Sequence, residues 1–308
     1  MKQIGAFLQL IRWPNLVFIV LTQLLFYFCV YIPLFNTAEH LKLFHLVIAS
    51  VFIAAAGYII NDYFDLNIDQ INKPGKNVFS KNVSRRWAIL LHFILSLLGL
   101  IFTFLALGIS KWYLILANAG CILLLWFYSA SLKKRFLIGN VAISMLTAWT
   151  VLIIFFAFTD PAQAIDTQNT SLIKYFRVAF LYAGFAFIIS LVREAVKDME
   201  DLEGDLRYGC RTLPIVSGIR ATKMYAIVWL VVLIASVAVL LLYVLLIGWW
   251  GAVAYLIVLV LLPSIHITRK LIKAADAAAF AHISKLTKWV MLTGILSMVF
   301  FRIYFSNE

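Results

Sequence analysis

Two short acidic stretches of this 308-residue chain share one spacing. Asp62, Asp65 and Asp69 lie in N-D-Y-F-D-L-N-I-D, and Asp198, Asp201 and Asp205 lie in K-D-M-E-D-L-E-G-D, so both read D-x2-D-x3-D. With Glu200 and Glu203 included, they hold eight of the chain's 14 acidic residues. On a helix, positions 0, 3 and 7 fall within an arc of about 60°, so each triplet is expected to form one carboxylate stripe. Three negative charges on one face beside lipid call for a compensating cation. Oxygen-only donors favour Mg²⁺ or Mn²⁺, and no His or Cys pair with zinc-type spacing competes for the role.

Basic residues accompany the acids. Lys73, Lys76, Lys133, Lys197 and Arg211 are placed to meet phosphate oxygens that a metal leaves uncovered. Lys197 abuts the second triplet, and Lys133 follows Tyr128-Ser129 at the end of an apolar run. Carboxylates, a hard cation and Lys or Arg together describe a diphosphate site. The plainer alternative is a set of solvated helix ends at a membrane surface, the reading that suits the isolated Asp160, Asp166 and Asp276.

The elements that must carry these residues are membrane helices. The chain is 64% hydrophobic and 13% charged, well above the roughly 45–50% apolar content of soluble domains. A crossing helix needs roughly 20 apolar residues. The sequence predicts an all-α bundle of about nine spans: Ile11–Phe35, Leu41–Ile60, Trp87–Ile109, Trp112–Ala130, Phe136–Phe158, Val178–Val192, Met224–Ile247, Ala252–Ile267 and Leu286–Phe305. A β-barrel is excluded, because its strands alternate apolar and polar residues and these runs do not. With no long linker, residues 1–308 read as a single integral-membrane domain. Two long connections, Asn61–Arg86 and Arg193–Lys223, each start with a triplet and continue into a basic, turn-rich segment.

The 26 Lys and Arg residues follow the membrane and do not suggest a nucleic-acid partner. With nine spans, all but Lys42, Lys111, Lys174, Arg177 and Arg302 fall on one side. The positive-inside rule therefore puts the N-terminus and both triplets on the cytoplasmic face and Glu308 outside. The first span lacks a signal-cleavage site and reads as retained. Cys29, Cys121 and Cys210 lack paired spacing and read as structural thiols.

At the level of motifs the chain resembles the UbiA superfamily of intramembrane prenyltransferases. Asn61 to Asp69 looks like that family's N-D-x-x-D-x-x-x-D, and Asp198 to Asp205 like its second acidic motif. The likeness extends to Arg12-Trp13-Pro14-Asn15, Asn72-Lys73-Pro74, Tyr128-Ser129, Leu132-Lys133 and Gly139-Asn140. It implies Mg²⁺-assisted transfer of a polyprenyl group from its diphosphate, with Asn61, Asp62, Asp65, Asp69, Asp198, Asp201 and Asp205 at the metals. It further implies catalytic roles for Asp65, Asp201, Tyr128 and Lys133, and substrate contacts from Asn15, Lys73, Lys76, Tyr128, Lys133, Lys197 and Arg211. Tyr128 would support an allylic cation, and the prenyl tail would lie among helices facing membrane lipid.

The stretch from Arg193 to Asp205, with Arg211-Thr212-Leu213-Pro214 beyond it, is most similar to the branch that prenylates geranylgeranylglyceryl phosphate. Aromatic acceptors of the hydroxybenzoate or naphthoate type use the same metal site and stay open as the alternative. One departure is the loop after the first motif. There Asp69-Gln70-Ile71-Asn72-Lys73-Pro74-Gly75-Lys76-Asn77 replaces the family's D-R-x-N-R-P-x-R-P, which affects phosphate contacts and not the metal site. Outside the enzyme class, a cation transporter is disfavoured because no acid sits in the middle of a span. A catalytically silent lipid-binding scaffold is a further reading.

Overall fold

The computed structural model describes residues 2–72, 84–159 and 169–305. Among them the regular elements are helical, with no strand, and nine helices are long and apolar enough to cross a membrane. Helices dominate because lipid offers no partner for backbone N–H and C=O groups, which an α-helix satisfies internally. A short α1 (Lys2–Leu10) leads into α2 (Trp13–Leu25), which runs through a π-helical turn, Phe26–Tyr31, into α3 (Ile32–Phe35) as the first span. Then follow α4 (His40–Asn72), α5 (Arg85–Leu107), α6 (Trp112–Ala130), α7 (Ile138–Phe158) and α8 (Thr170–Glu200). A short α9 (Leu202–Arg207) precedes α10 (Leu213–Leu246). The eighth span joins α11 (Trp250–Leu256), a π turn Ile257–Leu261 and α12 (Leu262–Lys273), and α13 (Ala277–Leu296) with α14 (Val299–Phe305) forms the ninth.

The π turns have a local cause. Pro33 and Pro263 lie within the spans at the first turns of α3 and α12, and a proline removes one N–H from the ladder. The preceding turn widens at each point. Helix starts are capped by side chains where the chain leaves the membrane. Asn169 Oδ1 accepts from Leu172 N at 3.0 Å and Asp276 Oδ1 from Ala279 N at 2.7 Å. At the opposite kind of end, Lys111 Nζ donates to the carbonyls of Phe156, Ala157 and Thr159 at 3.0, 2.7 and 2.7 Å, closing the C-terminus of α7 with a cation.

Five predicted spans fall short of the helices that contain them, three of them by more than ten residues. The expected Leu41–Ile60 lies inside the 33 residues of α4, Val178–Val192 inside the 31 of α8, and α10 begins at Leu213, well before Met224. Hydropathy marks the part of a helix immersed in lipid, whereas the helix itself continues as long as its backbone is satisfied. The excess matters here: α4 carries its acidic residues on about three further turns of helix, roughly 18 Å of rise beyond Ile60. The connections that start at the triplets are correspondingly shorter than the sequence suggests. Within α10, Gly218 breaks the helix at φ 82, ψ 160, so the residues up to it form a separate first turn ahead of the membrane rod.

Candidate active site

The first triplet stays on one helix. Asp62, Asp65 and Asp69 all belong to α4, as the spacing predicts. The second does not, which corrects the expected stripe: Asp198 sits in the last turns of α8, Asp201 at the break (φ −91, ψ 10), and Asp205 in α9. The break is fixed from across the site. The N–H of Gly204 donates to Asn72 Oδ1 at 2.8 Å, at the C-terminal end of α4. A Cβ on Gly204 would collide with that Asn72 side chain, so any larger residue must push the amide aside. A single hydrogen bond thus ties the end of one acidic motif to the middle of the other.

Both motifs face a cavity of about 330 Å³, whose wall includes Asp65, Asp69, Asp198, Asp201 and Asp205. Asn61, Tyr128, Lys133, Asn15 and Lys197 line it too. Beyond this polar mouth the wall becomes mostly apolar, running past Phe18, Ile53, Leu125, Ile153, Met291 and Met298, with Thr22, Ser50, Asn118 and Thr150 set among them.

Lys133 is the hub of the first wall. Its Nζ lies 2.5 Å from Asp65 Oδ1 and 3.2 Å from Asn61 Oδ1, while Asn61 Nδ2 donates to Asp65 Oδ2 at 2.9 Å. Burial lowers the Lys133 pKa from the ordinary lysine value, and the Asp65 carboxylate pulls the other way. Its backbone is set by Gly139 at the start of α7, where a Cβ would stand 2.7 Å from the Lys133 Cα. On the second wall, Asn140 Nδ2 donates to Asp198 Oδ2 at 2.8 Å and orients that carboxylate. On the same helix as Asp198, Lys197 Nζ reaches Glu194 Oε1 at 3.3 Å and Arg193 Nη1 reaches the same oxygen at 2.8 Å.

This donor set suits a hard cation. Among the described residues no three His, Cys, Asp or Glu side chains converge as a ready-made cage. Mg²⁺ rarely uses such a cage and binds through one or two carboxylates, water and substrate phosphates. The Lys133 ammonium already occupies a cation position between Asn61 Oδ1 and Asp65 Oδ1, and Asp69, Asp198, Asp201 and Asp205 supply further oxygen around the same cavity.

The sequence pattern of the UbiA prenyltransferase family matches residues 19–289. This chain belongs to that family. The digeranylgeranylglyceryl phosphate synthase of Methanothermobacter thermautotrophicus is 33% identical over 254 residues, 80% of each chain. That of Methanospirillum hungatei is 36% identical over 220 residues, covering 70% of this chain and 68% of its own. Among solved structures, a digeranylgeranylglyceryl phosphate synthase is similar with a TM-score of 0.65 and 26% identity over 97% of this chain and 99% of its own. A UbiA homolog from Archaeoglobus fulgidus bound to DMAPP and Mg²⁺ shares the fold, with a TM-score of 0.58 at 18% identity, covering 95% of this chain and 98% of its own. The chain is therefore a prenyltransferase of the membrane-embedded UbiA type, a multi-pass integral membrane protein.

Not every residue expected at the site of this UbiA-family chain reaches it. Asp62 is absent from the cavity wall; its Oδ1 is ion-paired with Arg12 Nη2 instead. Arg211 is exposed and absent from the wall, and it contributes its backbone N–H to the Lys134 carbonyl at 2.7 Å, joining the α9–α10 turn to the α6–α7 turn. Lys73 and Lys76 lie outside the described residues. All three cysteines are free. Cys29 is buried and Cys121 borders the cavity, while burial and the Asp205 charge push the buried Cys210 thiol up to about 11.

Other residues enter the site without having been singled out. Arg12, Asn72 and Asn140 stood inside motifs already quoted, and Arg193 and Glu194 next to one. Lys288 is different: nothing marked it but a charge within a predicted apolar span, which is itself a functional signal in a membrane protein.

Proposed function

We propose that this chain transfers a geranylgeranyl group from its diphosphate to the free hydroxyl of geranylgeranylglyceryl phosphate, with Mg²⁺, at the cytoplasmic face of the membrane. One observation carries the reading: carboxylates from two separate motifs border one cavity whose polar mouth continues into a mostly apolar bore within the bundle. A diphosphate and a long isoprenoid tail have opposite solvation needs, and this cavity meets both. The names of the relatives at 33% and 36% identity support the acceptor, and the DMAPP- and Mg²⁺-bound neighbour supports the donor class and the ion.

Asp65, Asp69, Asp198, Asp201 and Asp205, with Asn61, would hold the metal, which when bound neutralises the charge that builds on the departing diphosphate. The protein's own residues do the rest. Lys133 and Lys197 offer ammonium groups to diphosphate oxygens, and Asn140 keeps Asp198 aimed at the cavity. The apolar wall keeps water from the allylic carbon as its bond to oxygen lengthens, and the Tyr128 ring lies on the same cavity wall to face that carbon's growing positive charge. The acceptor hydroxyl oxygen then bonds the allylic carbon as the carbon–diphosphate bond breaks, and its proton passes to the released diphosphate.

The test offers purified protein, Mg²⁺ and geranylgeranyl diphosphate two acceptors side by side, geranylgeranylglyceryl phosphate and 4-hydroxybenzoate, and reads product mass. A doubly prenylated glyceryl phosphate supports the reading. A prenylated hydroxybenzoate alone, or release of diphosphate without prenyl product, overturns it.

A further inference from the structure

The cavity also holds three cations that the donor site does not use. Arg12 at the entry to α2, Arg193 on α8 and Lys288 on α13 all line it, and Lys288 lies within electrostatic reach of the other two. Against these three cations stand two carboxylates: Asp62, paired with Arg12, and the buried Glu194, which Arg193 shares with the donor-side Lys197. Among the described residues Lys288 Nζ has a neutral partner, Asn15 Oδ1 at 3.2 Å, and no carboxylate in ion-pair contact. Among the described residues Arg193 Nε is buried without a hydrogen-bond partner. A guanidinium N–H sealed from water and unpaired is costly, and so is an uncompensated excess of cations beside lipid. The backbone adds a third sign. Arg12 is a non-glycine residue at φ 49, a strained conformation that persists where the surroundings demand it and that concentrates at functional sites.

We infer that Arg12, Arg193 and Lys288 form a second anion subsite, distinct from the donor's carboxylate site, which takes the phosphate monoester of the acceptor. The inference rests on the activity proposed above and specifies which part of the cavity selects its acceptor. The excess of cations over carboxylates matches a dianionic phosphate better than a monoanionic carboxylate. Depth fits as well. Arg193 precedes Asp198 by five residues on α8, roughly 7 Å along the helix axis, so a phosphate held there lies beside the prenyl chain just past the diphosphate. A hydroxyl two carbons from that phosphate then faces the allylic carbon. Asp62 acts as a positioning residue, holding Arg12 through their ion pair, which accounts for its absence from the cavity wall.

The experiment measures direct binding to the purified full chain in nanodiscs. Its four probes are geranylgeranylglyceryl phosphate, its dephosphorylated alcohol geranylgeranylglycerol, 4-hydroxybenzoate, and geranylgeranyl thiodiphosphate with Mg²⁺. The wild type is expected to prefer the phosphate lipid over the alcohol. Arg193→Gln and Lys288→Met each weaken the phosphate lipid about tenfold or more, and leave the thiodiphosphate and the alcohol within about twofold. Lys288→Arg, which keeps the charge, retains most of the preference and covers the case in which Lys288→Met fails to fold. Equal losses for the thiodiphosphate, no wild-type preference for the phosphate, or hydroxybenzoate bound through these residues in its place each overturn the inference. Phosphate-selective binding without turnover would refute the proposed activity and leave the subsite standing. Turnover indifferent to both substitutions would refute the subsite alone.

Discussion

The two acidic motifs have identical spacing and different shapes. The first is a straight row on α4, backed by Asn61 and Lys133. The second turns a corner between α8 and α9 at Asp201, held there by Gly204 against Asn72. A straight row lets only some of its carboxylates face the cavity, and Asp62 is the one left to pair with Arg12. A corner can wrap all three of Asp198, Asp201 and Asp205 around one cavity. Equal spacing in sequence thus produces unequal duties. The first motif divides its acids between the cavity and a basic neighbour, and the second devotes them to one space.

Substitutions can break that comparison. The largest effect is expected where the walls meet the cation: Asp65→Asn and Asp201→Asn each reduce prenyl transfer by about 10²–10³-fold while the protein still inserts. Transfer rates in membranes containing matched amounts of protein check this. Next come the residues that aim the carboxylates. Asn140→Ala raises the Mg²⁺ concentration needed for half-maximal rate by about 10–100-fold, since outer-shell partners typically cost that much, and a Mg²⁺ titration reads it directly. Asp62→Asn separates the two duties of the first motif. It is expected to raise the KM for the acceptor by about tenfold and to leave the Mg²⁺ requirement unchanged; a shifted Mg²⁺ requirement would return Asp62 to the metal. The smallest effect falls at the corner. Gly204→Ala, which must displace Asn72, costs about 1–3 kcal/mol, read as a lower thermal midpoint for the purified protein with the fold retained.

Much of this molecule is legible in its sequence because the membrane constrains it severely. Nine long apolar runs become nine long apolar helices among the described residues, and both acidic motifs gather at one cavity. What escapes sequence reading depends on contacts between distant segments. In D-M-E-D-L-E-G-D only Gly204 hints at a broken helix, because the break depends on a hydrogen bond to Asn72, more than a hundred residues earlier. Hydropathy stops at Ile60 although α4 continues to Asn72, since it measures solvent preference and not backbone pairing. Arg211 looked like a phosphate ligand from its neighbours in sequence; the structure places its side chain off the cavity wall, with its backbone N–H joining two turns. Lys288 went unseen for the opposite reason. Its partners Asn15, Arg193 and Arg12 come from other helices, and only the folded chain brings them together.

The central claim is that carboxylates from both motifs make one Mg²⁺-dependent donor site. Binding of geranylgeranyl thiodiphosphate as a function of Mg²⁺, in the wild type, in Asp65→Asn, in Asp201→Asn and in the double variant, tests it most directly. A single shared site predicts that either substitution alone removes the Mg²⁺-dependent part of binding and that the double variant is no worse than the singles. Full Mg²⁺-dependent binding in either single variant, or losses that simply add in the double, would contradict it.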